Sequence, residues 1–278
     1  MDIYYSNAQS NNWDAIDITP FPMLASFFQI GKTKFTRQNK CSKLMLDSGA
    51  FSAFTQNKPV DIDKYIAYVL ANKKIFDYKI ALDIFGDERQ SYFNWKKITA
   101  AGIKNIPVFH ATASDWKYLY KYADETDYIG IGGIALLGYA DRKPLLSKIF
   151  RDFPDSTKIG FHGFGVNDER LMVEFPWRSI DARTAHLLAR FGLIQTPWGV
   201  LRINPNFPAG GRKAIEWQSG IKKDIVFEWL TSINANIPLA QEQSVVGKVE
   251  RCRITILYFE EYKKKCPIIY TSKANYLF

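Results

Sequence analysis

Cysteine is scarce in this sequence: three among 278 residues, Cys41, Cys252 and Cys266, with no two in a Cys-x-x-Cys spacing. A disulfide framework and a structural zinc site both need paired or clustered cysteines, so neither is expected. No apolar run approaches the roughly 20 residues of a membrane span. The opening residues, Met1-Asp2-Ile3-Tyr4-Tyr5, place no basic region ahead of an apolar segment. A secretory signal is therefore not expected, and a cytoplasmic protein is. The sequence also lacks a P-loop, a Gly-x-Ser-x-Gly, a His-x-His and a His-Glu-x-x-His. It shows no low-complexity segment and no internal repeat of roughly 20 to 50 residues.

What is present is enough to build a large core: 47% of residues are hydrophobic and 15% aromatic. The length suits a single α/β barrel of about 250 residues. Lys and Arg number 37 against 28 Asp and Glu, a net charge of +9. Residues 201–278 carry 12 basic and 7 acidic side chains, so +5 of that excess falls in the last quarter. Such a balance fits an ordinary soluble surface, and it equally fits a polyanionic partner whose phosphates need neutralising.

Short apolar runs alternate with amphipathic stretches. Eight runs read as strands: Ile3–Ser6, Met23–Phe28, Lys43–Asp47, Tyr78–Asp83, Asn105–His110, Tyr128–Gly133, Lys158–Gly163 and Arg178–Asp181. Helical spacing is found over residues 61–74, with Asp61 or Asp63 as cap, and near 91–101, 115–123, 143–153 and 184–191. Strand–helix alternation argues for parallel strands joined by right-handed crossovers. The predicted fold is a TIM-like (β/α)8 barrel in the α/β class, with an open doubly wound sheet as the alternative. A single barrel domain is expected, its core over about residues 1–205. Beyond a Pro/Gly-rich turn region at Pro205–Gly211, a helical and basic portion would fill about 206–278. Helices near 223–234 and 247–265 belong to that portion, the second completing the barrel's outer layer or flanking a polyanion.

Polar residues collect at the C-terminal tips of the predicted strands: Asp47, Asp83, His110, Gly132, Gly133, His162 and Asp181. A barrel gathers those tips on one face. Carboxylates so gathered suit metal binding, or substitution at a sugar anomeric carbon, where one acid attacks and another handles protons. Metal is the weaker reading, since no metal-ligand spacing is present. Each residue also has a plain structural role open to it. Asp47 and Asp83 suit turn or loop caps, His110 and His162 suit satisfied core positions, and Asp181 suits a helix N-cap before Thr184. Gly130 to Ala135 fits a loose G-x-G-x-x-A, better read as close packing at a strand end than as a dinucleotide fingerprint.

Asp47-Ser48-Gly49-Ala50-Phe51 resembles the Asp-Ser-Gly-Gly-aromatic motif of the tRNA-guanine transglycosylases. The later motifs are similar in order: Leu82-Asp83, the strand ending at His110, Gly130-Ile131-Gly132-Gly133, His162-Gly163-Phe164-Gly165 and Ser179-Ile180-Asp181. The resemblance spans about residues 40–185 and is strongest to the phage and bacterial DNA 7-deazaguanine transglycosylases, the DpdA-type branch. It implies an enzyme that exchanges guanine in DNA for a free 7-deazaguanine base, such as 7-cyano-7-deazaguanine, through a covalent enzyme–sugar intermediate. Protection of phage DNA from restriction, in the host cell cytoplasm, would be its purpose. Carried over, Asp181 is the nucleophile and Asp47 the general acid/base. Asp83 accepts hydrogen bonds from the guanine-type edge. Phe51 and His162 stack on the base, with Ser48 beside them in the motif. Gly130, Gly132 and Gly133 offer backbone groups, and His110 falls near a family Gln that contacts the base.

Two departures stand out. The tRNA enzymes carry zinc on a Cys cluster with a His, and no such cluster exists here, so neither a metal nor another cofactor is expected. Asp181 is followed by Ala182-Arg183-Thr184, unlike the tRNA enzymes' turn. Arg183 and Arg178 are then candidates for phosphate contact. These departures favour DNA as partner over tRNA. The alternatives are a tRNA-guanine transglycosylase and a non-catalytic nucleic-acid-binding barrel.

Overall fold

The computed structural model describes residues 1–6, 10–14, 16–32, 35–204, 206, the backbone at 215–216, and 223–267. The chain divides into two compact units: Met1–Ala182 together with the chain from Cys266, and Arg183–Lys265.

The first unit is a parallel barrel. Its strands are β1 (Asp2–Ser6), β2 (Phe21–Ser26), β3 (Cys41–Asp47), β4 (Tyr78–Lys79), β5 (Val108–His110), β6 (Tyr128–Gly132), β7 (Gly160–Gly163) and β8 (Ser179–Ala182). They lie in the order β4-β3-β2-β1-β8-β7-β6-β5, every pair parallel. A parallel bridge between Ile80 and Ile106 joins the two ends of that order, so the ring closes between β4 and β5. The expected (β/α)8 architecture is the one observed. Strands covered on both faces need mostly apolar side chains, as in Phe21–Ser26, which is buried at every position. Tyr4, Leu24, Met45, Ile80, Ile106, Val108 and Tyr128 form one buried cluster contributed by six successive strand segments, the packed interior of the barrel.

Helices α1 (Phe27–Ile30), α2 (Ala50–Thr55), α3 (Ile62–Ala71), α4 (Glu88–Ala100), α5 (Lys117–Glu125), α6 (Tyr139–Asp152) and α7 (Glu169–Glu174) fill the connections. Asp61 caps α3 through the N–H groups of Asp63 and Lys64. Asp87 caps α4 through that of Gln90, so this helix begins three residues before the sequence pattern suggests. Phe27 and Phe28, expected in the second strand, start α1 instead. Pairing with β3 ends at Ser26 opposite Asp47, and the Phe27 ring turns out to meet Tyr65 and Tyr68 at centroid distances of 5.1 and 5.2 Å.

The second unit has its own core. After α8 (Thr184–Arg190), strands β9 (Leu193–Thr196) and β10 (Gly199–Arg202) pair antiparallel, and β11 (Ile215–Glu216) adds alongside β10 in parallel. Helices α9 (Lys223–Ser232), α10 (Ile237–Gln241) and α11 (Val245–Tyr262) complete it. Ile194, Leu201, Ile203, Val226, Leu230, Ala240 and Ile254 form its buried cluster. A basic flank on α11 is not what its arginines make. Arg251 is fully buried, with Nε donating to the Ala189 carbonyl and Nη1 to those of Ala240 and Glu242. Arg253 is buried against Glu250, donating to both of its carboxylate oxygens at 2.8 Å. Except for Asn206, the turn region at Pro205–Gly211 lies outside the described residues.

Candidate active site

Inward and outward positions alternate along a strand, so two residues beyond each interior side chain lies the next inward position toward the C-terminal mouth. From Tyr4, Leu24, Met45 and Val108 that step reaches Ser6, Ser26, Asp47 and His110. From Ser179, whose Oγ lies 2.5 Å from the interior Tyr128 hydroxyl, it reaches Asp181. The barrel thus brings Asp47 and Asp181 to one mouth, with the tips of β1 and β2 between them.

Asp181 is held from two sides. The Ser6 hydroxyl donates to Oδ2 at 2.7 Å, and the Gly165 N–H donates to Oδ1 at 2.7 Å. Asp47 is in a different situation. Burial raises its carboxyl, and the negative charges of Asp83 and Asp181 raise it further, to about 7, against the pull of the Gly49 and Ser48 N–H groups. A carboxyl near 7 is divided between its acid and base forms at neutral pH, the condition for shuttling a proton.

Asp83 follows β4 and is buried. Its Oδ2 lies 2.8 Å from His110 Nε2. On the other side of the imidazole, Nδ1 lies 3.0 Å from Glu88 Oε1. That contact is an ion pair off the hydrogen-bond direction, and neither Glu88 carboxylate oxygen takes a hydrogen bond. Burial lowers the proton affinity of His110, but Asp83 and Glu88 together outweigh it and raise the ring to about 9. At neutral pH the ring is an imidazolium with both nitrogens facing carboxylates, and Phe85 stacks on it at 4.6 Å. No polar atom of His110 remains for a base. The contact expected of it is replaced by a hold on Asp83.

Ser48 is fully buried and its hydroxyl has no hydrogen-bond partner. Gly49 takes φ +82°, which turns the chain from β3 into α2. Phe51 is 41% exposed and Phe54 64% exposed, and both rings lean on Phe85, at 5.9 and 5.0 Å. The three form an aromatic shelf beside the acids. Of these, sequence reasoning singled out Phe51 alone.

The glycines of β6 and Gly133 after it make room. A Cβ on Gly130 would lie 2.6 Å from Phe164 Cε2, one on Gly132 2.9 Å from His110 Cδ2, and one on Gly133 2.8 Å from Thr112 Oγ1. The Gly130 N–H is bonded to the Pro107 carbonyl and the Gly132 carbonyl to the Ala111 N–H. Those two groups serve the sheet and are not open to a base. His162 is fully buried in the barrel interior. Its Nδ1 lies 2.5 Å from Ser179 Oγ, and its ring meets Tyr4 and Phe164 edge-on. Burial lowers it to about 3, so it is neutral. This is a core histidine, without the open ring face that stacking on a base requires.

Arg178 is not brought to the acids. It precedes β8, so it lies at the opposite end of the barrel from Asp181. There it packs over the Tyr128 ring at 4.2 Å and reaches Asp127 at 3.6 Å. A strand rises about 3.3 Å per residue, and three residues therefore separate the two by roughly 10 Å. Arg183 opens the second unit, at the start of α8.

Sequence reasoning missed Glu88, Phe85, Ser6 and Gly165. The run Gly86-Asp87-Glu88 after a strand tip was a usable signal for Glu88, since an N-cap Asp places the next acid in the first turn. Ser6 ends its strand on a polar residue as the others do. Beside His110 and Glu88 a cleft of about 550 Å³ is lined by Phe85, Arg89, Thr112, Lys117 and Tyr118 among others. Asp47 and Asp181 do not line it, so the cleft is a neighbour of the acid cluster and not its centre. Among the described residues no group of three or more His, Cys, Asp or Glu is arranged to hold a metal ion, and no helix is long and apolar enough to cross a membrane. The sequence matches no protein-family model, and no curated protein is significantly similar to it.

Proposed function

We propose that this chain is a base-exchange glycosyltransferase that replaces guanine in DNA with a free 7-deazaguanine. The observation that carries the reading is the pairing of two unlike acids at one barrel mouth: Asp181 held by Ser6 and Gly165, and Asp47 poised at about 7 in the field of Asp83 and Asp181. In the reaction the Asp181 carboxylate attacks C1′ as the C1′–N9 bond of the nucleotide breaks. The departing guanine takes its proton from Asp47, leaving an ester between Asp181 and C1′. An incoming 7-deazaguanine gives its N9 proton to Asp47, its nitrogen attacks C1′, and the Asp181–C1′ bond breaks. Both acids end as they began. Asp83 supplies an acceptor for the ring N–H and amino group of either base. The Phe51–Phe54–Phe85 shelf offers stacking to a nucleotide taken out of its helix.

The test is incubation of the protein with labelled guanine and either DNA or tRNA, in wild type and in Asp181→Ala. Label entering DNA with the wild type and not with the variant, while the variant still binds DNA, supports the reading. Label entering tRNA alone reassigns the substrate. Binding to DNA with no label entering DNA or tRNA leaves a non-catalytic binding barrel as the answer.

A further inference from the structure

Glu88 has no part in the reaction just described, yet it is a buried carboxylate whose oxygens accept no hydrogen bond. Such a group is costly to keep unless something opposite in charge faces it. What faces it is Nδ1 of His110, at 3.0 Å, and the far nitrogen of the same ring meets Asp83 at 2.8 Å. The three side chains form a line, carboxylate–imidazole–carboxylate, buried throughout. Phe85 covers the ring at 4.6 Å. On the β6 side, the missing side chain of Gly132 lets His110 approach so closely that a Cβ would stand 2.9 Å from Cδ2. Phe85 and the Gly132 backbone thus flank the ring.

We propose that Glu88 is a positioning residue that sets base specificity: its charge facing Nδ1 keeps the His110 ring protonated on both nitrogens, so that Nε2–H donates to Asp83 Oδ2. Asp83 is thereby fixed as an acceptor, with Oδ1 the oxygen not committed to His110. A fixed acceptor favours a purine edge made of donors, as in guanine and 7-deazaguanines, over one that presents a ring nitrogen acceptor, as in adenine. The assignment of a base to Asp83 rests on the base-exchange reading. The link from Glu88 through His110 to Asp83 does not. Burial alone would leave this histidine neutral, whereas the two carboxylates raise it to about 9. Other ionisable groups in the field of these carboxylates include Asp47, Tyr65 and Tyr122, and Asp87, Arg89, Asp115, Lys117 and Tyr118 line the adjoining cleft.

Glu88→Gln tests the link. It keeps the shape and removes the charge. The chain has three histidines, so the ring signals of His110 can be followed by NMR against pH beside those of His162 and His186. In Glu88→Gln the His110 midpoint should move to lower pH, with proton affinity falling at least about tenfold. The KM for the incoming base should rise about tenfold more than kcat falls, since one charge-assisted hydrogen bond has lost its support. Glu88→Asp should recover part of both effects, which a mere packing defect would not do. An unmoved His110 midpoint in a folded Glu88→Gln overturns the link. A moved midpoint with kcat and KM unchanged overturns the specificity role. If the wild type exchanges no base at all, the base-exchange reading falls with the specificity role, and the NMR midpoint still decides the link.

Discussion

Ser6 and Asp181 stand 175 positions apart in the chain, and their side chains meet at 2.7 Å. The contact joins the first barrel strand to the last, which run side by side with Tyr4 opposite Asp181. Pairing of β1 with β8 is therefore what completes the environment of the proposed nucleophile.

Ser6→Ala removes the hydrogen bond from the Ser6 hydroxyl to Asp181 and leaves that of Gly165. Exchange should slow by roughly 5- to 10-fold, and the fold should lose about 1–3 kcal/mol, the net worth of a hydrogen bond to a carboxylate. Single-turnover release of labelled guanine, with urea unfolding in parallel, measures both. An unchanged rate would show that Ser6 does not orient the carboxylate.

Asp47 makes both activity and stability depend on pH. Its folded carboxyl is raised from 3.8 to about 7, so the folded state favours the protonated form. Stability from this group is full below pH 3.8 and is lost as pH rises to about 7, at up to about 1.4 kcal/mol per pH unit. Asp47→Asn should flatten that slope, becoming more stable than wild type at pH 8 relative to pH 5. It should also lose exchange by at least about 100-fold, as expected for a missing general acid. Wild-type exchange should decline above about pH 7. A wild-type rate still rising from pH 7 to pH 9 would remove Asp47 from the acid role.

Gly49→Ala should destabilise by about 1–3 kcal/mol. The position has φ +82°, and the added methyl would stand 2.4 Å from Phe28 Cβ and 2.8 Å from Ser26 Oγ. Thermal unfolding measures the loss. Activity should fall with it, because the displaced turn carries Asp47.

His162 contributes an opposite pH dependence. Burial lowers it from 6.5 to about 3, so the folded state favours the neutral ring. Its contribution is intact above pH 6.5 and is lost as pH falls toward 3, again at up to about 1.4 kcal/mol per pH unit. His162→Gln retains a polar partner for Ser179 without the titration. Its urea midpoint should change less than that of the wild type between pH 7.5 and pH 5. Equal changes would mean that His162 is protonated without cost in the fold.

The eight strands, their alternation with helices and the acids at their tips were legible in the amino-acid sequence. Apolar runs that end on Asp47, Asp83 and Asp181 follow from local pattern, and a parallel barrel puts such ends together without further information. The start of α3 was legible from its cap, Asp61, whereas that of α4, capped by Asp87, lies three residues ahead of the sequence pattern. What local pattern leaves open is which neighbour each polar group meets. His110 and His162 look alike in sequence, each ending an apolar run. Alternation and register put one at the mouth between two carboxylates and the other in the interior beneath Phe164. Arg178 and Asp181 belong to one short segment, and the direction of the strand sends them to opposite ends of the barrel. The contacts Ser6–Asp181 and Glu88–His110 pair residues from different strand–helix units, brought together by the pairing of β1 with β8 and by the closing bridge between Ile80 and Ile106. Their energies come from charge and hydrogen bonding at distances that only the folded chain sets.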